Sequence, residues 1–115
     1  MAVITPTKLD PQGIYPEYVW EGITEGDTSE VVEWPGGEGF FEVTGTFGGG
    51  SITVNFGLTP TATYIVDDAQ APQGGLFIEP SMAKFDLPKG YIKPGNTGGT
   101  GKDVDVRIHP ARIER

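Results

Sequence analysis

The sequence predicts an all-β protein: a single antiparallel β-sandwich, jelly-roll-like or immunoglobulin-like, with an extended N-terminal arm. Three observations predict it. Eighteen glycines and ten prolines make up about a quarter of the 115 residues, and these are the two poorest helix formers. Several short segments alternate apolar and polar residues with a period of two, the pattern of a strand with one buried face. Turn residues separate these segments at close spacing, as in sandwiches and small barrels. No window shows a helical period, and no internal repeat is present.

The arm comes first, over residues 1–16. Pro6, Pro11 and Pro16 each remove a backbone donor and push the preceding residue to extended geometry. Neither a helix nor a long paired strand fits that spacing. The segment still carries Ile4, Leu9, Ile14 and Tyr15, and it is too thin to shelter them by itself. It either packs along its own domain or reaches a neighbouring subunit.

Residues 17–110 form the sandwich. Tyr18-Val19-Trp20 and Val31 to Trp34 read as short strands, the second stopped by Pro35-Gly36-Gly37. In the segment from Phe40 to Phe47, one face carries Phe41, Val43 and Phe47, and the other carries Glu42, Thr44 and Thr46. Phe40 lies opposite Phe41, so it is either exposed or meets a partner. From Ser51 to Phe56, Ile52, Val54 and Phe56 point inward. With Gly48-Gly49-Gly50 between them, these two strands read as a β-hairpin. Thr63 to Val66, Leu76 to Ile78 and Lys84 to Leu87 are further strands, and Gly90 to Lys93 is one ended by Pro94. Residues 95–101 read as a flexible turn. A last clean alternation, Asp103 to Ile108, ends at Pro110, and residues 111–115 are a short charged tail.

Charge and composition exclude several functions. Eight basic and sixteen acidic side chains give a net charge of −8, which repels phosphate backbones and anionic membranes. Neither nucleic acid nor membrane is an expected partner. There are no cysteines, so disulfides and thiol chemistry are out. The first residues lack the basic start and apolar stretch of a signal peptide, and synthesis in the cytoplasm is the expectation.

No catalytic constellation stands out, and the expectation is a protein that is not an enzyme. His109, the single histidine, has no neighbouring ligand or base set and reads as a solvated residue at a strand end. Gly95 to Lys102 looks superficially like a phosphate loop. However, Asn96 stands where glycine is required, Asp103 replaces the Ser/Thr for magnesium, and the segment reads as a hairpin turn. Among the acidic pairs, Asp67 and Asp68 are best placed for calcium. They lack an EF-hand spacing, so no metal and no cofactor is expected. Trp20, Trp34, Tyr64, Phe77 and Tyr91 serve either as core or as a sugar-stacking face, which keeps a carbohydrate-binding module open as an alternative.

Several segments carry a family resemblance: Trp20 to Thr28 with its Gly26-Asp27-Thr28 turn; Phe41 to Gly49 with Val43-Thr44-Gly45-Thr46-Phe47; Ser51 to Val54; Tyr91-Ile92-Lys93-Pro94; and Gly98-Gly99-Thr100-Gly101. In this order, together with the arm from Thr5 to Pro11, they resemble small virion proteins of tailed bacteriophages, of the capsid decoration (cement) type. The resemblance implies a non-enzymatic structural protein on the outer surface of the virion. Its partners would be the major capsid protein and possibly copies of itself, and Ile4, Leu9, Ile14, Tyr15 and Phe40 would make the contacts. A neck, tail or fibre component of the virion is a further alternative. Asn55 to Pro60 departs from the polar turn that relatives carry at that point.

Overall fold

The computed structural model describes residues 2–8, 17–61, 64–65 and 76–110. They form twelve strands: β1 (Val3–Ile4), β2 (Thr7–Lys8), β3 (Tyr18–Ile23), β4 (Thr28–Ser29), β5 (Val32–Trp34), β6 (Gly37–Thr46), β7 (Ser51–Gly57), β8 (Tyr64–Ile65), β9 (Leu76–Phe77), β10 (Ser81–Leu87), β11 (Gly90–Thr97) and β12 (Asp103–Pro110). One sheet runs β10-β6-β12-β3-β2, and the other runs β5-β11-β7-β8, with β9 also on β7. Strands β1 and β4 form a small parallel pair.

The strand order is that of a jelly roll rather than an immunoglobulin domain. Strand β3 pairs with β12, β5 with β11, β6 with β10, and β7 with β8 and β9, all antiparallel. The first half of the chain therefore pairs with the second half in nested fashion. This ribbon is rolled so that its strands fall alternately into two facing sheets.

Alternation places the core between the sheets. Trp20, Phe41, Val43, Phe85, Val106 and Ile108 of one sheet meet Trp34, Ile52, Val54, Phe77 and Ile92 of the other in one buried cluster. Ring contacts cross the gap, Trp34 to Phe85 at 4.9 Å and Phe41 to Phe77 at 5.3 Å between centroids. Both indoles keep a hydrogen bond: Trp20 Nε1–H donates to the Glu30 carbonyl at 2.9 Å and Trp34 Nε1–H to that of Gly37 at 3.4 Å. A buried tryptophan needs such a partner.

Several expectations are corrected here. Strands β6 and β7 are not a hairpin. Both neighbours of β6 are β10 and β12, so the glycine loop carries the chain from one sheet to the other. The inward faces of the two strands meet across the core instead of lying side by side. Alternation alone cannot distinguish these arrangements, because both bury the same side chains. Gly48 sits at φ +60°, and a Cβ there would lie 2.1 Å from the Thr100 carbonyl oxygen. The glycine is needed because the connection from β11 to β12 passes against it. That connection also switches sheets and is not a hairpin turn. Strand β11 runs through Pro94 to Thr97, whereas the sequence reading stopped it at the proline. Pairing of β11 with β5 ends at Ile92, and a proline is tolerated where its missing N–H falls on an unpaired side. Strand β3 extends to Ile23, and β10 begins already at Ser81.

Two substitutions check this architecture. Phe41→Ala should cost about 3–5 kcal/mol in urea denaturation, as a large side chain lost from a packed core. Gly39→Ala should cost about 1–3 kcal/mol by overpacking, because its methyl would lie 2.5 Å from the Trp34 ring and 2.8 Å from that of Phe85.

Candidate interaction surfaces

The outer face of the sheet that includes β6 and β12 is built by the residues that alternation turns away from the core. One row crosses all five strands through Met82, Glu42, Arg107, Val19 and Thr7. A second joins Lys84, Phe40 and His109. Phe40 lies opposite Phe41, as its phase predicts, and is half-buried. His109 is not simply solvated. It is half-buried as well, and its ring stacks on Phe40 at 5.2 Å with 29° between planes. Lys84 beside it pairs with Glu38 at 3.0 Å, an exposed pair worth little. Further along the face, Thr7, Val19, Glu21, Glu42, Thr44, Asp105 and Arg107 line a shallow cleft of about 220 Å³. The face thus offers one aromatic patch in mixed, mainly acidic surroundings.

The second surface is the N-terminal arm and the loops that hold it. Residues 2–8 are built into sheet edges: β1 lies parallel to β4, and β2 lies antiparallel on β3. Ile4 is half-buried against the core, Val3 is 62% exposed, and Lys8 stands 5.6 Å over the Tyr18 ring. Leu9, Ile14 and Tyr15, expected as further contacts, lie outside the described residues, as do the calcium candidates Asp67 and Asp68.

Beneath the arm is a polar network whose members the sequence reading missed. The Asp27 carboxylate accepts hydrogen bonds from the Thr24 N–H, the Thr24 hydroxyl and the Ala2 N–H, each at 2.9 Å. The Thr24 donors, backbone first, hold its pKa below the ordinary carboxylate value, and Ala2 adds to this. Glu25 accepts from the Gly101 and Lys102 N–H groups. Its own backbone N–H, followed by those two, likewise lowers its pKa. Asn96 Nδ2–H donates to the Thr24 and Asp27 carbonyls at 2.8 and 3.0 Å.

Lys102 is 1% exposed. Its ammonium donates to the carbonyls of Ser51, Thr97 and Gly98 and to Asn96 Oδ1. Burial lowers its pKa, and Glu25 opposes that shift. An ammonium has three protons to place and no acceptor of its own, so a cage of oxygens suits the charged form. Lys102 thus pins the ends of β7 and β11 and the loop into β12. Lys102 had looked like part of a mismatched phosphate loop, and nothing in that short stretch signals its burial.

Trp20, Trp34 and Phe77 belong to the core, at 0%, 1% and 2% exposure, so they line no sugar-stacking face. Tyr91 is half-buried. The side chain of Tyr64 lies outside the described residues. Among the described residues, no group of three or more His, Cys, Asp or Glu side chains is placed to hold a metal ion, and no helix is long and apolar enough to cross a membrane. The chain matches no family model, no curated protein and no solved structure.

The network makes two predictions. Lys102→Met should cost about 1–3 kcal/mol for each carbonyl left bare, read by urea denaturation. Asp27 and Glu25 have folded pKa values below their unfolded ones. Their contribution to stability is therefore full above the ordinary carboxylate range and is lost as pH falls through the lowered values. In chemical denaturation at stepped pH, Asp27→Asn should shrink that acid-side loss.

Proposed function

We propose that this chain is a virion structural protein of a tailed bacteriophage, a capsid decoration protein that sits on the outer shell and bridges neighbouring major capsid subunits. It acts by binding and not by catalysis. The observation that carries this reading is the arm. Residues 2–8 lie along their own domain, through two two-residue strands, an Asp27 hydrogen bond and a half-buried Ile4, yet Val3 remains exposed. A short extended segment at a sheet edge can add to another subunit's edge through backbone hydrogen bonds. Repetition over a symmetric lattice then turns a weak contact into strong attachment. Phe40 offers a second, aromatic contact on the outer sheet face, of the kind enriched at interfaces. The jelly roll recurs in viral capsid domains and also in lectins, so the fold agrees with the reading without deciding it. Copies of this chain on adjacent lattice sites are natural secondary partners.

Cosedimentation with capsids of the parent phage tests the proposal, using the full chain, a form lacking residues 1–16, and Phe40→Ala. The full chain should pellet with capsids, the truncated form should lose most binding, and Phe40→Ala should weaken it by at least about 1 kcal/mol. Unaltered thermal melts of the two variants would assign these losses to contact and not to folding. Equal binding by the truncated form would remove the arm from the interface. On an acidic shell, attachment of this acidic chain should persist at high salt, and release at moderate salt would point to charge-driven docking. Localisation of the chain at the neck, tail or fibre in particle micrographs would replace the shell assignment.

A further inference from the structure

We propose that residues 2–4 are a latch: a strand that opens and closes against the sandwich as its own unit, swinging about Thr5–Pro6, with the Asp27 carboxylate as the catch.

The strand is held by little. The Ala2 N–H donates to Asp27 Oδ1, the Thr28 N–H to the Ala2 carbonyl at 2.9 Å, and the Glu30 N–H to the Ile4 carbonyl at 3.0 Å. Ile4 is the one half-buried side chain, and Val3 faces outward. A segment with so few buried apolar contacts lies at the low end of local opening free energies.

The catch is asymmetric. Asp27 is 7% exposed, and its two oxygens do different things. Oδ2 accepts both Thr24 donors, a local turn contact that survives opening. Oδ1 accepts the Ala2 N–H, a contact made only when the strand is closed. The turn is mounted on a rigid base. Asn96 holds the Thr24 and Asp27 carbonyls, Glu25 ties the turn to Gly101 and Lys102, and Lys102 is caged. The catch therefore keeps its position whether the strand is present or not.

The hinge is also defined. Pro6 has a fixed φ and restricts Thr5 to extended geometry, so residues 2–4 move as a body. Strand β2 stays anchored through Thr7 on Val19 and Lys8 on Tyr18. The charged groups around the catch are the N-terminal ammonium, which also lowers the Asp27 pKa, Glu25 in the same turn and Lys102 behind Asn96. Ala2 approaches through its backbone. Opening uncovers the β4 edge and frees the strand to meet a neighbouring subunit. That use rests on the decoration reading, whereas the latch itself does not.

Amide hydrogen exchange of the intact chain by NMR tests the latch. Thr28 and Glu30, whose N–H groups are covered by the strand, should exchange at least about 100-fold faster than Val43 and Val106 of the core sheet. Asp27→Asn should speed Thr28 and Glu30 by about tenfold and speed Val43 and Val106 by less. A second measurement needs no variant. As pH falls below the carboxylate range, protection factors of Thr28 and Glu30 should drop further and earlier than those of Val43 and Val106, which lose only the global stability that Asp27 and Glu25 carry. Exchange of Thr28 and Glu30 at the core rate, equal acceleration of all four amides by Asp27→Asn, or an equal loss of protection at all four in acid would each overturn the latch. If these amides behave as expected but the chain does not bind capsids, the decoration reading fails and the latch stands.

Discussion

Trp20, Phe41, Val106 and Ile108 on one sheet and Trp34, Ile52, Val54 and Ile92 on the other bury one another. Neither sheet has another apolar surface to cover its inner face. Mutual burial sets the conditions for everything else in the fold. It requires each long strand to present alternate residues to the gap, and it requires the chain to supply strands to both sides. The nested antiparallel pairing meets both demands at once. Rolling one ribbon gives two sheets whose apolar sides face each other and whose polar sides face water.

The cost of that solution falls on the connections. The chain changes sheet between β3 and β5 by way of β4, and again between β5 and β6, β6 and β7, β9 and β10, β10 and β11, and β11 and β12. At one end, three of the chain's loops crowd together: the turn with Asp27, the glycine loop after Phe47, and the loop before Asp103. Lys102 gathers four oxygens around one ammonium, and Glu25 and Asn96 cross-link the same loops through backbone groups. A single buried cation thus draws the Ser51, Thr97 and Gly98 carbonyls together and has its own charge solvated by them. The same scaffolding positions Asp27 under the N-terminal strand, which couples the arm to the most polar end of the sandwich.

The two candidate surfaces follow from opposite features of this design. The outer sheet face is rigid, because its residues stand on the backs of core strands. Its one aromatic patch, Phe40 on His109, is fixed by cross-strand pairing. The arm is attached through short strands and a handful of hydrogen bonds. The proposed decoration role would use the first as a fixed contact and the second as a movable one.

Much of this was legible in the residues. The periods of two in Phe41 to Phe47, Ser51 to Phe56 and Asp103 to Ile108 dictated strands, their inward faces and the outward placement of Phe40, because the side-chain direction of a strand is a local property. Of residues 2–8, the absence of a long strand was legible through Pro6, which separates the two-residue strands β1 and β2. Three things were not. The partner of each strand depends on contacts far apart in the chain, so β6 and β7 looked like a hairpin when they belong to different sheets. The passage of β11 through Pro94 depends on which of its sides lacks a neighbour. The network of Asp27, Glu25, Asn96 and Lys102 joins residues up to 77 positions apart, and no local pattern records it. Local sequence determined which residues face inward, because alternation needs only neighbours. Tertiary structure alone decided which strands meet and which polar groups are buried together, because both are set by the mutual burial of two sheets that no short segment contains.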